Sequence, residues 1–246
     1  MELTLFELLQ GILSSIYVII TFIVAVLLLF KYYKYKDQNL FLVGVALSGI
    51  AAPYIPDFLI FTVIISTSYS LSISFYIEVL IALVIITTFI STIAVVCWLF
   101  AITNLMSLTW QKLALVLTGL FLGSFISLFI VFIFIDFPLI GTFNGPFDYQ
   151  WGLLTTFYYL SVILIIIVTG GMFVRETQKS PHRQIKLKGR FLLSAIFSFV
   201  LAALIPFVVY NVIVLVITRI ILVFSSILFY MGFILPKWVK KLLIRD

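Results

Sequence analysis

Seven stretches of this chain, each about twenty residues long and nearly free of charge, decide what it can fold into. They run near residues 8–30, 39–60, 74–101, 113–135, 153–174, 191–211 and 214–235. Crossing a bilayer core of ~30 Å takes about 20 apolar residues in a helix. Each run is far longer than a barrel strand and does not alternate. Hydrocarbon admits only structures that satisfy their own backbone, so helices follow. The chain is 64% hydrophobic and only 10% charged, too few charges to cover a water-facing surface. The expectation is one all-α domain over residues 1–246, a polytopic bundle of seven transmembrane helices. The acidic start "MELTLFELLQ" leads straight into a long apolar run, which reads as a retained first helix and not as a cleaved signal.

The basic residues give the threading. Lys31, Lys34 and Lys36 fall in the first connection, and Lys112 in the third. Arg175, Lys179, Arg183, Lys186, Lys188 and Arg190 fall in the fifth, and Lys237, Lys240, Lys241 and Arg245 in the tail. Fourteen of the fifteen Lys and Arg therefore share one side. Glu2, Glu7, Asp57, Glu78, Asp136 and Asp148 lie at or toward the other. By the excess of Lys and Arg in cytoplasmic loops, the N-terminus is expected outside and the C-terminus in the cytoplasm, in a multi-pass protein of the cell membrane. Tyr32, Tyr33, Tyr35, Trp110 and Trp238 then mark the inner interface, and Tyr149 and Trp151 the outer one. The net charge of +6 is spent on this asymmetry and does not point to nucleic acid.

Arg219 is the one cation out of place. It lies 17 residues before Pro236, about 25 Å up a helix that rises about 1.5 Å per residue. By the same measure Asp57 is about 31 Å above Lys36 and Glu78 about 34 Å above Ala101. The three belong to one outer layer, and a charge near the bilayer centre costs ~2.5–3.5 kcal/mol on insertion scales. Arg219 is therefore expected to point into the bundle and pair with Glu78 or Asp57. The pair either locks helices together or forms a ligand site, where an arginine can fork onto a carboxylate. Arginine keeps its proton, so a proton relay is excluded.

Prolines fall at the same level. "AAPYIPDF" carries Pro53 and Pro56, and "AALIPFVVYN" carries Pro206, followed by Tyr210 and Asn211. Proline frees a carbonyl and bends a helix, and bends at one level can open a cavity. The segment 136–152, punctuated by Pro138, Gly141, Gly145 and Pro146, reads as an ordered loop or re-entrant turn. Residues 58–72 are apolar for a loop, and read either as a long second helix or as a surface segment. Gly119 and Gly123 suit an internal helix contact. Thr87, Thr88, Ser91 and Thr92 should bond backbone carbonyls of their own helix. Cys97 reads as a packing residue. A single His, His182, and a single Cys leave no cluster for zinc or haem, so neither metal nor cofactor is expected.

Three resemblances bear on function. The topology resembles that of microbial rhodopsins, but 214–235 holds no lysine for a covalent retinal, which leaves a pigment only with non-covalent chromophore. In length and orientation the chain resembles SWEET sugar transporters. "AAPYIP" and "AALIP" would be repeat-related there, as would Glu78 and Arg219, though the Pro-Gln motif is missing. "SSILFYMGFILPKWVKKLLIRD" resembles the exit from seven-helix sensory modules of prokaryotic signalling proteins, which implies a sensor handing its signal to a cytoplasmic partner.

These features support a non-enzymatic membrane sensor. Its input would be the outer layer around Arg219. Its output would be the basic face of Lys237, Trp238, Lys240, Lys241 and Arg245, against anionic lipids and a cytoplasmic signalling partner. The alternatives are a transporter of a small polar or anionic solute and a structural subunit of a membrane complex. The ligand is left unspecified.

Overall fold

The computed structural model describes residues 4–67, 72–106, 109–143, 147, 149–209 and 212–243. Helix α1, Leu5–Tyr35, opens with a capping box. The Thr4 hydroxyl accepts from the Glu7 backbone N–H, and the Glu7 carboxylate accepts from the Thr4 N–H at 2.8 Å. Donors that a helix start leaves unpaired are thereby satisfied. The helix stops at Lys36, whose φ of 56° is left-handed.

The second span is broken in two. Helix α2 covers Gln38–Ile50, a single 3-10 turn covers Ala52–Tyr54, and helix α3 covers Ile55–Ser66. Pro53 and Pro56 each sit in the first turn of a new segment, where a missing N–H costs nothing. Residues 58–66 continue α3 and bury Ile60 and Ile64, so the described part of the apolar 58–72 stretch is helix.

The remaining helices are α4 (Ile73–Leu105), α5 (Gln111–Ile135), α6 (Leu153–Lys179), α7 (Arg183–Val208), α8 (Val212–Ile234) and α9 (Lys237–Leu243). Seven helices, with α2 and α3 counted together, are long and apolar enough to cross a membrane, and the chain is a multi-pass membrane protein. The basic fifth connection is mostly helix: α6 runs past 174 to Lys179 and α7 begins at Arg183, leaving only Ser180–His182 between them. Charged side chains beyond the apolar runs simply continue the helical turns into the interface.

The spans close into a ring. α1 packs on α2, α2 on α4, α4 on α6, α6 on α7, α7 on α8, and α8 returns to α1. α5 leans on α4 and α6 from outside and buries only Leu122 and Phe129. This overturns the reading of Gly119 and Gly123 as an internal contact: a Cβ at either would meet nothing within 4 Å. By contrast, a Cβ on Gly49 of α2 would overlap the Ala94 side chain of α4.

Toward the end with the basic connections the core is tight. Trp98 is fully buried, donates to Thr169 Oγ1 at 3.0 Å and meets the rings of Phe229 and Phe233 edge-on. Ser225 Oγ donates to the Ala195 carbonyl at 2.9 Å, tying α8 to α7. Half-buried Cys97 packs against this cluster.

At the opposite end a short antiparallel hairpin pairs β1 (Gly141–Phe143) with β2 (Tyr149–Trp151), in the register Gly141 with Trp151 and Phe143 with Tyr149. Phe147, in the loop between them, is buried in the cluster of Ile60, Ile64, Tyr76, Leu80 and Val84. Gly152 follows β2, where a Cβ would strike the Leu139 carbonyl.

The ring predicts opposite responses to added methyl groups. Gly49→Ala should lower stability by about 1–3 kcal/mol, the usual cost of overpacking. Gly119→Ala and Gly123→Ala should be neutral or add up to about 1 kcal/mol, since alanine is the better helix former. Thermal unfolding in detergent, followed by circular dichroism, separates the two cases.

Candidate functional site

Arg219 lies on α8 two turns into the bundle, and is 4% exposed. Asp57 lies in the first turn of α3, after the proline break, and is fully buried. Arg219 Nη2 donates to Asp57 Oδ2 at 3.0 Å, and Arg219 Nε donates to Ser14 Oγ at 2.9 Å. Ser14, on α1, passes the bond on to Asp57 Oδ2 at 3.1 Å. Three helices are thus joined through a closed ring of hydrogen bonds. A fourth element joins from the hairpin, where Tyr149 OH donates to Asp57 Oδ1 at 3.0 Å. The guanidinium also stands over the Tyr54 ring, 4.5 Å from its centroid, and Tyr54 is braced edge-on by Tyr17 at 5.1 Å. Such a stack adds about 2 kcal/mol when desolvated. Both oxygens of the carboxylate accept hydrogen bonds, Oδ2 two and Oδ1 one, which is what a buried ion pair needs to persist.

Of the two carboxylates expected beside Arg219, the structure brings only Asp57. Glu78 is exposed on α4. Its neighbours Tyr76 and Leu80 are the residues facing inward, and at 100° per residue a position midway between them looks outward. Tyr210 and Asn211 lie outside the described residues.

Beside the ion pair is a cavity of about 350 Å³, in the range of small-molecule pockets. Its wall includes Arg219, Tyr54, Tyr149, Trp151, Tyr159 and Phe199, with Gln10, Ser91 and Thr156 as polar groups. Both Pro53 and Pro206 line it. Pro56 is buried beside Asp57 in the first turn of α3. The hairpin forms the cover: Phe147, Tyr149, Gln150 and Trp151 all face the cavity. An aromatic series leads inward, with Phe143 stacked on Tyr149, Tyr149 edge-on to Trp151 at 4.9 Å, and Trp151 against Tyr159 at 5.5 Å. Toward the basic end the cavity reaches Ala94, Val95, Ile166 and Phe199. One turn further along these helices Trp98, Thr169 and Ile196 pack as the floor.

The polar stripe of α4 is spent mostly on its own backbone. Thr87 and Thr88 donate to the Val84 carbonyl, Ser91 to Thr87 and Thr92 to Thr88. Ser91 alone of the four reaches the cavity. Along α1 and α8, Thr21 and Ser226 hydrogen-bond at 2.7 Å, seven residues on from Ser14 and Arg219 respectively.

At the basic end, Lys188 Nζ donates to the Phe233 carbonyl at 3.1 Å, capping the last turn of α8. Leu235 then takes a left-handed φ of 45°, and α9 departs after Pro236. Lys237, Trp238, Lys240 and Lys241 are exposed while Val239 is buried. Arg183 Nη2 donates to the Leu243 carbonyl at 3.5 Å. Arg245 lies outside the described residues.

Ser14, Tyr54, Tyr149 and Tyr159 escaped the sequence reading as site residues. Tyr149 and Trp151 read there as interface markers, yet they cover the cavity. Tyr54 sits inside the "AAPYIPDF" motif, which was the available signal. Among the described residues no three of His, Cys, Asp and Glu come together as a metal site. Searched against protein-family models and against curated proteins, the chain matches none.

Two outcomes follow. Asp57→Ala leaves a buried guanidinium unpaired and should cost about 3–5 kcal/mol. The double change with Arg219→Met should cost clearly less than the sum of the two single changes. Chemical unfolding of the four proteins measures this coupling. Burial first, and then the Asp57 carboxylate, hold the Tyr149 hydroxyl well above its ordinary range near 10. In the folded protein Tyr149 therefore keeps its proton where the unfolded chain loses it. Its contribution is full below about pH 10 and declines above that. Wild type should exceed Tyr149→Phe by about 1.5–3 kcal/mol at neutral pH, the range for a bond to a charged group. That margin should shrink as pH rises past about 10, which stability measurements on both proteins across that range would check.

Proposed function

We propose that this protein is a membrane sensor, with its N-terminus outside and its basic end in the cytoplasm of the cell membrane. A small molecule would enter the cavity under the hairpin, and α9 would report its presence to a cytoplasmic partner. The observation that carries this reading is the course of α8. It bears Arg219 at the cavity and runs without a break to Leu235, where it turns into the basic helix α9. A change in the Arg219–Asp57–Tyr149 bonds shifts the hairpin, α3 and α8 together. A rigid helix transmits such a shift to its far end.

Support against a carrier comes from the floor. A transported solute must pass the level of Trp98, which is fully buried between Thr169 and two phenylalanines. Carriers of the inverted-repeat type hold their substrate near the midplane between broken helices. Here the break at Pro53 lies with the ion pair, on the hairpin side of that floor. The side assignment rests on the distribution of Lys and Arg.

Breaking the ion pair serves as a surrogate input. In a Cys97→Ala background, spin labels at Lys186→Cys and Lys240→Cys report the distance between the start of α7 and α9. Adding Asp57→Asn should shift that distance distribution. An unchanged distribution sinks the coupling. A thiol placed at Thr142 should be labelled only from outside intact cells. Uptake of solute by liposomes holding the purified protein would decide for the transporter.

A further inference from the structure

We infer that the cavity selects a neutral, aromatic-sized molecule carrying a carbonyl-type hydrogen-bond acceptor. This deepens the sensor reading, from which it takes only the cavity as the place of binding.

Three polar groups reach the cavity with capacity unspent. The Tyr159 hydroxyl is buried on a residue 7% exposed, and among the described residues none meets it at full hydrogen-bond geometry. The Thr88 and Ser91 hydroxyls close to it already donate to the carbonyls of Val84 and Thr87. The Gln10 amide, on a residue 4% exposed, bonds to no other described residue. Arg219 spends two of its five N–H donors, one on Ser14 and one on Asp57. Buried polar atoms without partners are rare, and each calls for a specific explanation. One such atom, the Tyr159 hydroxyl, stands at this cavity with the Gln10 amide and the spare Arg219 donors beside it, and a ligand that accepts hydrogen bonds there explains all three.

Charge sets the class. Arg219 faces the cavity, which repels a cation. Its charge is already balanced by Asp57 directly behind it, at 3.0 Å. An anion would bring a second, unmatched negative charge into a water-poor site, and among the described residues lining the cavity Arg219, already paired with Asp57, is the cation it would meet. A neutral carbonyl presents lone pairs to the spare N–H and O–H donors at a far smaller desolvation cost. The walls suit flat rings: Tyr54, Trp151, Tyr159 and Phe199 offer aromatic surface, and about 350 Å³ holds a two-ring molecule.

Three probes of nearly equal shape test this on the full-length protein in lipid nanodiscs. They are 2-acetonaphthone, the neutral ketone; 2-naphthoate, its anionic counterpart; and 2-ethylnaphthalene, which lacks the acceptor. Binding is read as quenching of tryptophan fluorescence, less the signal from Ala203→Phe, which fills the cavity and so reports partition into lipid alone. The ketone should bind at least about 10-fold more tightly than the carboxylate, and about 3–10-fold more tightly than the hydrocarbon, the worth of one hydrogen bond. Tyr159→Phe should weaken the ketone by a similar factor and leave the hydrocarbon unchanged. Its hydroxyl meets no partner at full hydrogen-bond geometry among the described residues, so the variant should also unfold at a temperature no lower than wild type. Tighter binding of the carboxylate overturns the inference. Equal loss of ketone and hydrocarbon in Tyr159→Phe, or no binding of any probe above the filled-cavity control, does the same. None of these outcomes bears on the α9 distance measurement. A failure of signalling and a wrong ligand class are therefore told apart.

Discussion

Everything else in this molecule is arranged around a charge that cannot be released. Arginine keeps its proton at any accessible pH, so a guanidinium within the apolar run must be matched where it stands. Asp57 matches it, and Ser14 and Tyr149 complete the carboxylate's coordination. One from each of α1, α3, α8 and the hairpin, these residues meet only if four distant segments hold one relative position. Apolar packing between helices in lipid has little hydrophobic drive of its own. A directional polar cluster specifies the arrangement that general van der Waals contact leaves open.

The break at Pro53 and Pro56 belongs to the same arrangement. An unbroken second helix would present Asp57 at whatever angle the turns of α2 dictated. The 3-10 turn resets that angle, and its Tyr54 fills the space above the guanidinium. On the far side of the ring α7 continues through Pro206 to Val208, and the cavity lies between Pro206 and the break at Pro53. The hairpin then covers an opening that the helices alone would leave to lipid headgroups or water.

The spans were legible because burying a peptide group in hydrocarbon imposes a minimum length of apolar helix, and a run of Ile, Leu, Val and Phe has no other use. Their ends were less so. α1, α6 and α7 carry Tyr32, Arg175 and Lys186 on helical turns that a hydropathy reading assigns to loops. Asp57 was legible beside Arg219, because rise per residue is fixed by backbone geometry. Glu78 falls at the same level for the same reason, but its depth does not fix which way its side chain turns. Rotation about a helix axis is set by neighbouring helices, and the first turns of α4 around Glu78 are flanked by apolar residues on every side; the Thr87–Thr92 stripe lies more than two turns further on. Tyr149 and Trp151 could not be told from interfacial anchors, since an aromatic with a polar tip suits a bilayer edge and a pocket cover equally well.

The ring is closed by its first and last spans, and that has a consequence for how the protein is made. Asp57 enters the bilayer with the second span, while its cation arrives 162 positions later, on the seventh. Through most of synthesis the carboxyl is without its arginine. Ser14 waits longer still, 205 positions. Arrival of α8 therefore does more than complete the bundle. It is the step at which the Asp57 carboxylate first meets its guanidinium, and the first and last spans are joined through Ser14 and Arg219.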